Sequence, residues 1–279
     1  MLKKVIFMDI DGTLVNEHGV VPESAKKAIQ QARKNGHQVF ICTGRSKAEL
    51  FHDIMEIGFD GIIGAAGGYI EVDEKVLIHE RVSTEDVIHL VEFFNEHQID
   101  FYLESNGGLF ASKNCKNHIQ GIINNFLAEN PHAEEEVKKG IQPFHDCLID
   151  DEDLIRDDIN KISFLGSNVP IDMIKQEFSS KFTVIPSTVP LFGENSGELS
   201  VPGIHKAVAI ERLLEHLQVD REHTYAYGDG MNDLEMLKFV QFGIAMGNAK
   251  EALKEAADDI TDTHDNDGIY NSFKKYQLI

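Results

Sequence analysis

An apolar run that ends in two carboxylates constrains the fold more than any other feature of this chain. Residues 5–8 read Val-Ile-Phe-Met, and Asp9-Ile10-Asp11-Gly12-Thr13 follows directly. A short run of apolar and β-branched residues is typical of a buried strand. Ligands of open α/β sheets bind outside the carboxyl ends of the strands, so both carboxylates are predicted to face a functional crevice. Asp and Gly also favour turns, so a plain turn after the strand is the alternative at this point.

Strands and helices then alternate along the chain. A helical pattern follows the first run, and residues 39–42 form a second apolar run that ends in Thr43-Gly44-Arg45. A helix is predicted over residues 47–57 and a third strand over residues 61–64. Such alternation predicts a parallel sheet with right-handed crossovers.

The same alternation returns in the last third of the chain. Lys206 opens a helix with an apolar stripe, and residues 224–227 form a strand that runs into Gly228-Asp229-Gly230-Met231-Asn232-Asp233. Residues 242–247 form a further strand. Both ends of the chain therefore contribute to one predicted sheet.

The middle of the chain has a different pattern. After a predicted hairpin over residues 69–78, helices and isolated strands follow each other in α+β style. We predict a Rossmann-like, doubly wound α/β core formed by residues 1–82 and 196–279, with residues 83–195 inserted as an α+β domain. Four polar side chains of the insert are candidates for substrate contact, although solvent exposure is the expected state of each. They are Glu104, Asn106, His118 and Lys161.

The charge balance limits the class of partner. The chain has 26 basic and 47 acidic residues, a formal net charge of −21. Such a surface repels polyanions, so we expect no nucleic-acid partner and no anionic membrane. A small anionic ligand is compatible with this charge only where a metal ion or placed Lys and Arg side chains supply local positive charge.

The cysteines and the apolar runs indicate the compartment. Cys42, Cys115 and Cys147 are odd in number and widely spaced, which favours neither a disulfide framework nor a zinc site. No apolar run approaches the roughly 20 residues of a membrane-spanning helix. The first residues also lack the pattern of a secretory signal. We therefore expect a cytoplasmic protein.

The polar residues at the predicted strand and helix ends suit one kind of chemistry. Asp9, Asp11 and Asp229 converge without His or Cys, and such an oxygen-rich site prefers Mg²⁺ to zinc or copper. A hydroxyl, backbone N–H groups beside glycines and Lys206 are suited to phosphoryl oxygens. A carboxylate can also be a nucleophile that forms an aspartyl phosphate.

These stretches together resemble the four motifs of the haloacid dehalogenase (HAD) superfamily. The motifs are Asp9-Ile10-Asp11-Gly12-Thr13, Thr43-Gly44-Arg45, Lys206 and Gly228-Asp229-Gly230-Met231-Asn232-Asp233. The long insert makes the chain similar to the Cof-like phosphatases, which carry the type IIB α/β cap. The resemblance covers essentially the whole chain, and its first and fourth motifs are the specific ones.

The resemblance implies a role for each motif residue. Asp9 would attack phosphorus and bind Mg²⁺, and Asp229 would be the remaining direct protein ligand. Asp11 would protonate the leaving oxygen, then activate the hydrolytic water, and would offer Mg²⁺ its backbone carbonyl. The phosphoryl group would be surrounded by Ile10, Gly12, Thr43, Gly44, Lys206 and Asn232. Thr13, Arg45 and Asp233 would lie behind them, with Asp233 steadying the metal or Lys206.

Two positions depart from the family pattern. The stretch Gly64-Ala65-Ala66-Gly67-Gly68, which includes Ala66, stands where relatives commonly carry an Asn-Gly pair after the third strand, so the polar contact of that Asn is missing. His205 precedes the lysine where a small polar residue is more usual. A His beside a phosphate could tune the pH dependence, but a solvent-exposed bystander is the favoured interpretation.

The sequence therefore predicts a Mg²⁺-dependent phosphatase that hydrolyses small phosphorylated metabolites, such as sugar phosphates. One alternative is a phosphomutase, which also forms an aspartyl phosphate but returns the group to its substrate. A second alternative is a phosphate-binding or sensor protein without turnover. Asp11 favours turnover, because a long-lived phosphoryl signal has no use for a hydrolytic base. The sequence does not indicate the oligomeric state.

Overall fold

A computed structural model describes residues 3–16, 19–50, 52–150, 153–187 and 189–279 of the chain. The chain divides into two compact units. The first comprises Met1–Arg45, Leu50–His79 and Ile204–Ile279, and the second comprises Ser46–Glu49 and Glu80–Gly203.

The first unit opens with strands and helices in alternation and continues with three consecutive strands. These elements are β1 (Val5–Met8), α1 (Glu23–Lys34), β2 (Gln38–Cys42), α2 (His52–Met55), β3 (Gly61–Gly64), β4 (Tyr69–Val72) and β5 (Lys75–His79). The predicted hairpin is confirmed, because β4 and β5 pair antiparallel across Asp73 and Glu74. Both turn residues have positive φ, 48° and 63°, as a two-residue type I′ turn requires.

The second unit contains helices and mostly antiparallel strands. Its elements are α3 (Thr84–Glu96), β6 (Phe101–Ser105), β7 (Leu109–Ala111), α4 (Cys115–Glu129), α5 (Glu134–Lys139), α6 (Ile141–Cys147), β8 (Leu148–Asp150), β9 (Ile159–Phe164), α7 (Ile171–Phe178), β10 (Thr183–Pro186) and β11 (Gly197–Ser200). The six strands form one sheet in the order β10-β11-β9-β6-β7-β8. Its core contains Leu103, Ile162 and Phe164 from the central strands and Phe94 from α3.

The remaining elements return to the first unit. They are α8 (Lys206–Leu217), β12 (Thr224–Gly228), α9 (Leu234–Phe239), β13 (Phe242–Ala245), α10 (Glu251–Ala256), β14 (Asp259–Ile260) and α11 (Gly268–Lys275). The sheet of this unit has the order β14-β13-β12-β1-β2-β3-β4-β5, and its strands are parallel from β14 to β3. The predicted α/β Rossmann-like core is confirmed.

The central position of β1 explains its uninterrupted apolar sequence. Ile6 and Met8 pack with residues of α1 and α11 on one face of the sheet. Val5 and Phe7 pack with residues of α8 and α9 on the other face. All four side chains are fully buried, so neither face of the strand tolerates a polar residue.

The structure places the end of the second unit later than the sequence did. We expected the core to resume at residue 196, but β11 pairs antiparallel with both β9 and β10 and so belongs to the second sheet. β11 has only four residues, Gly-Glu-Leu-Ser, which is too short for an alternation of polar and apolar side chains to be recognised. Its sequence alone does not indicate which sheet it joins.

The prediction of one helix over residues 47–57 is wrong. The structure has a 3-10 turn at Lys47–Glu49 and a separate four-residue helix, α2. Ser46–Glu49 is part of the second unit, whereas the chain from Leu50 onward is part of the first. A continuous helix is therefore interrupted where the chain passes from one unit to the other.

Among the residues that the structure describes, no helix combines the length and the apolar character needed to cross a membrane.

Candidate active site

The parallel strands of the first unit bring the predicted motif residues to one edge of the sheet. β1 lies between β12 and β2, so the carboxyl ends of these three strands are neighbours. Asp9 follows β1, Thr43 follows β2, and Asp229 follows β12. Lys206 is the first residue of α8, a helix that packs on this sheet. This placement matches the crevice expected for an open α/β sheet.

A buried lysine joins two of the carboxylates. Lys206 Nζ lies 2.5 Å from Asp9 Oδ1 and 2.6 Å from Asp233 Oδ1. The exposed fractions of the three side chains are 2%, 6% and 0%, respectively. Burial of charge at this depth is costly unless each group has partners, and here one ammonium serves two carboxylates.

The pKa values of these groups reflect that unequal pairing. Burial alone would lower the pKa of the Lys206 ammonium, but the charges of Asp9 and Asp233 outweigh it and raise that pKa. Burial and the neighbouring Asp233 carboxylate raise the pKa of Asp9 well above its usual range, against the opposing effect of Lys206. Lys206 therefore stays charged, and its single positive charge does not balance the negative charges of the two carboxylates.

Asp229 sits at the more open side of the same cluster. Its Oδ1 accepts a hydrogen bond of 3.3 Å from the Thr13 hydroxyl. Burial, then the Asp233 charge, raises the pKa of Asp229 to about 6. Gly12 (φ 77°) is required beside it, since a Cβ on Gly12 would lie 2.3 Å from Asp229 Oδ2.

The donor set of this cluster fits a hard divalent cation. Asp9, Asp229 and Asp233 each offer a carboxylate oxygen, and these oxygens lie within 4.8 Å of one another. Lys206 supplies one positive charge against three negative ones, so a further cation would balance the site. Asp233 Oδ2 already accepts hydrogen bonds from the N–H groups of Asp229 and Gly230, both at 3.0 Å. Asp9 and Asp229 are therefore the freer ligands.

Asp11 is held differently from Asp9, although only one residue separates them. Its side chain is 61% exposed and pairs with both ends of the Arg45 guanidinium, Nε at 2.9 Å and Nη2 at 2.6 Å. A bidentate pair of this kind fixes the direction of a carboxyl group. Arg45, predicted to lie behind the phosphate site, thus orients the carboxylate predicted to transfer the proton.

A strained turn supports the loop after β2. The N–H groups of Ala65 and Ala66 donate to the carbonyls of Arg45 and Thr43, at 2.8 and 3.0 Å. Both alanines have positive φ, 50° and 55°, a conformation that favours Gly or Asn. The missing Asn-Gly pair thus corresponds to a turn that alanine adopts at a cost in backbone energy.

The other predicted residues are placed as follows. Thr43 is buried, and its hydroxyl accepts from the Arg45 N–H at 3.1 Å, whereas the adjacent Gly44 is half-buried. Ile10 is buried, and its carbonyl accepts from three N–H groups of the following turn. Asn232 is exposed, with its Oδ1 against Gly230. His205 is exposed, in agreement with the favoured interpretation.

Asn248 is a polar residue at this edge that the sequence did not single out. It follows β13, and its side-chain amide donates to the Gly12 carbonyl at 2.7 Å. The available signal was its position, a polar residue after the end of a predicted strand of the same sheet.

In the second unit, the expectation of solvent exposure is wrong for two of the four polar candidates. Glu104 is 1% exposed, and the Lys161 side chain is 11% exposed. Glu104 accepts from the Ser163 hydroxyl at 2.6 Å and lies 3.3 Å from Lys161 Nζ. These partners compensate the burial of both charges, which explains why the residues face inward. His118 is instead part-exposed and pairs with Asp100 at 2.8 Å.

Comparison with known proteins identifies the family. The family model described as haloacid dehalogenase-like hydrolase matches residues 6–273. The chain therefore belongs to the haloacid dehalogenase-like hydrolases, as its motifs predicted.

Individual relatives narrow the class of enzyme. The chain is similar to the 5-amino-6-(5-phospho-D-ribitylamino)uracil phosphatase YcsE of Bacillus subtilis, with 28% identity over 99% of this chain and 96% of YcsE. It is 26% identical to the phosphatase YwpJ of the same organism, over 97% of this chain and 99% of YwpJ. Its structure resembles that of the HAD subclass IIB sugar phosphatase BT4131, with a TM-score of 0.73, 25% identity, and coverage of 99% of this chain and 100% of that one. The protein is a phosphoric monoester hydrolase of the HAD type.

Proposed function

We propose that the protein hydrolyses phosphomonoesters of small metabolites through an aspartyl phosphate on Asp9, with Mg²⁺ as its cofactor. The observation that carries this proposal is the buried Asp9 carboxylate, held 2.5 Å from Lys206 Nζ at the carboxyl edge of the sheet. A buried carboxylate fixed beside a cation is suited to nucleophilic attack on a phosphoryl group, whose charge that cation can stabilise.

The first half of the reaction transfers the phosphoryl group to the protein. An Asp9 oxygen forms a bond to phosphorus as the bond from phosphorus to the substrate oxygen breaks. Asp11, oriented by Arg45, gives a proton to the departing oxygen. Lys206 remains charged and stabilises the oxygens of the transferred group.

The second half releases inorganic phosphate. Asp11, now ionised, accepts a proton from a water molecule, whose oxygen bonds to phosphorus. The bond from Asp9 to phosphorus breaks, which restores the Asp9 carboxylate, and Asp11 is protonated again. Thr43, Gly44 and Asn232 are proposed to hold the phosphoryl oxygens in both halves.

Asp9, Asp229 and the backbone carbonyl of Asp11 are the proposed ligands of Mg²⁺. Bound there, the ion would supply positive charge to phosphoryl oxygens and offset the excess of carboxylates in the site.

Sugar phosphates are the proposed class of substrate, supported by the similarity to BT4131. The alternative supported by a relative is a phosphorylated ribityl compound, the substrate class in the name of YcsE. The test is a panel of purified sugar phosphates, nucleotides and 5-amino-6-(5-phospho-D-ribitylamino)uracil, assayed for phosphate release with Mg²⁺.

The matched control for this panel is Asp9→Asn, which keeps the shape of the nucleophile and removes its charge. We expect phosphate release from at least one sugar phosphate, and none from Asp9→Asn. Release that needs no Mg²⁺ or that survives in Asp9→Asn would contradict the proposed mechanism. Isomerised sugar phosphate in place of free phosphate, with activation by a bisphosphate, would instead identify a phosphomutase.

A further inference from the structure

Asn248 bridges the loop after β1 and the segment after β14. Its Nδ2 donates to the Gly12 carbonyl at 2.7 Å, and its Oδ1 accepts from the His264 N–H at 3.4 Å. A carbonyl only accepts and an N–H only donates, so these two partners determine which way the amide points. The side chain thus links two parts of the first unit that are far apart in sequence.

The loop that Asn248 contacts carries both proposed catalytic carboxylates. We call residues 9–16 the nucleophile loop. Inside it, the Gly12 N–H donates to Val15 O and the N–H groups of Thr13, Leu14 and Val15 donate to Ile10 O. These hydrogen bonds lie within the loop, whereas the Asn248 bond connects the loop to the segment that follows β13 in the same sheet.

The position of Gly12 makes this tie consequential. Gly12 lies so close to the Asp229 carboxylate that a Cβ would be 2.3 Å from Asp229 Oδ2. The carbonyl that Asn248 binds belongs to the peptide between Gly12 and Thr13, and the Thr13 hydroxyl donates to Asp229 Oδ1 at 3.3 Å. A rotation of this peptide would therefore move Gly12 and Thr13 relative to the Asp229 carboxylate, within the loop that also carries Asp11.

A second contact holds the far end of the loop to the same segment. Asn16 Nδ2 donates to Asp265 Oδ1 at 2.9 Å, and Asp265 is the neighbour of His264. The segment after β14 therefore contacts the nucleophile loop at Asn16 directly and at Gly12 through Asn248.

We propose that Asn248 is a positioning residue that holds the nucleophile loop in its reactive geometry. The inference rests on the proposed function, because it assigns Asn248 an effect on the reaction of Asp9 and Asp11. Asn248 is solvent-exposed, so its removal leaves no cavity in the core. Its contribution is orientation, and misplacement of reacting groups by about 1 Å can lower a rate on the order of a hundredfold.

Three variants separate orientation from other effects. Asn248→Ala removes both hydrogen bonds. Asn248→Asp keeps the shape and an acceptor for the His264 N–H, but it cannot donate to the Gly12 carbonyl. The matched control is Asn266→Ala, which removes an exposed amide that bonds to Thr263 Oγ1 in its own turn.

The kinetic readout is kcat and KM for p-nitrophenyl phosphate at saturating Mg²⁺. We expect Asn248→Ala and Asn248→Asp to lower kcat by roughly tenfold to a hundredfold, with KM changed less than about twofold. Asn266→Ala is expected to keep both parameters. A rise in KM at unchanged kcat would overturn the proposal and make Asn248 a substrate contact.

Hydrogen exchange gives a readout that does not depend on activity. Four amides of the loop, at positions 12–15, donate backbone hydrogen bonds. We expect peptides that contain them to exchange faster in both Asn248 variants and not in Asn266→Ala, with the rest of the chain unchanged. Unchanged exchange together with unchanged kcat would overturn the positioning role.

The two proposals can fail separately. If the unmodified protein released phosphate from no substrate of the panel, the proposed function would fail. The exchange experiment would still test whether Asn248 holds the nucleophile loop in place. If the unmodified protein were active and both Asn248 variants kept its kcat, the positioning role alone would fail.

Discussion

At the scale of single residues, Lys206 is a buried cation whose partners in the first unit are Asp9 and Asp233. Its side chain is 2% exposed and touches two carboxylates that are themselves buried. A buried ion pair contributes little net stability as a whole, but removal of one partner leaves an uncompensated buried charge. Loss of Lys206 would leave two such charges.

We therefore expect Lys206→Met to abolish phosphatase activity and to lower the free energy of unfolding by about 3–5 kcal/mol at pH 7 without metal. Urea unfolding followed by circular dichroism measures the stability. The control is Lys254→Met, which removes a lysine whose partner Glu251 is 83% exposed, and it should cost less than about 1 kcal/mol. Equal losses for the two variants would contradict the buried-charge account.

Some single residues of the site could be predicted from the sequence, and others could not. Lys206 could be inferred because it opens a helix in a chain that already offered carboxylates at two strand ends. The burial of Glu104 and Lys161 could not, since it depends on which strands pair. Residues 104 and 161 face each other only because β6 and β9 are antiparallel neighbours in this register.

At the scale of elements, the turn between β3 and β4 shows the cost of an unusual sequence. Ala65 and Ala66 both adopt positive φ, and their N–H groups hold the carbonyls of the loop after β2. The left-handed conformation costs an L-residue about 1–2 kcal/mol relative to the right-handed one. The hydrogen bonds to Thr43 and Arg45 compensate part of that cost.

Ala66→Gly should therefore stabilise the protein, although Gly elsewhere destabilises. We expect an increase of about 0.5–1 kcal/mol in the free energy of unfolding, because Gly adopts this φ without strain. The control is Ala252→Gly in α10, which should lose about 0.5–1 kcal/mol as Gly does in helices. A loss of stability in Ala66→Gly as large as in Ala252→Gly would contradict the presence of strain at position 66.

Short strands are the elements that are hardest to predict from this sequence. The α/β alternation indicated β1, β2, β3, β12 and β13, whose short apolar runs are separated by helical patterns, but it did not indicate the two-residue parallel strand β14. β11 has only four residues, and it joins the second sheet by pairing with β9 and β10. Its own sequence does not indicate that it pairs with these two strands. Short strands are placed by tertiary pairing, which local pattern does not encode.

At the scale of the whole molecule, the charge of −21 and the acidic cluster act in the same direction. Both make the folded chain a better binder of cations than of anions. A ligand that binds the folded state and not the unfolded state stabilises it by mass action. Cation binding at the cluster should therefore appear as a thermal shift.

We expect MgCl₂ to raise the melting temperature more than NaCl of equal ionic strength, which controls for screening of the overall charge. Asp229→Asn should lose most of this specific difference, and the exposed Asp172→Asn should keep it. Differential scanning fluorimetry measures both. If Mg²⁺ and ionic-strength-matched Na⁺ gave the same shift in the unmodified protein, the proposed metal site would be contradicted.

The central claim is that Asp9 becomes phosphorylated during turnover, and trapping that intermediate tests it most directly. Asp11→Asn cannot activate water, but p-nitrophenolate leaves without a proton from Asp11, so the first half of the reaction can proceed. We expect intact-protein mass spectrometry of Asp11→Asn with p-nitrophenyl phosphate and Mg²⁺ to show one added phosphoryl group. Peptide mapping should place that group on Asp9, and the Asp9→Asn/Asp11→Asn double variant should show none. Rapid, continuous phosphate release by Asp11→Asn, or a phosphoryl group on a residue other than Asp9, would contradict the account.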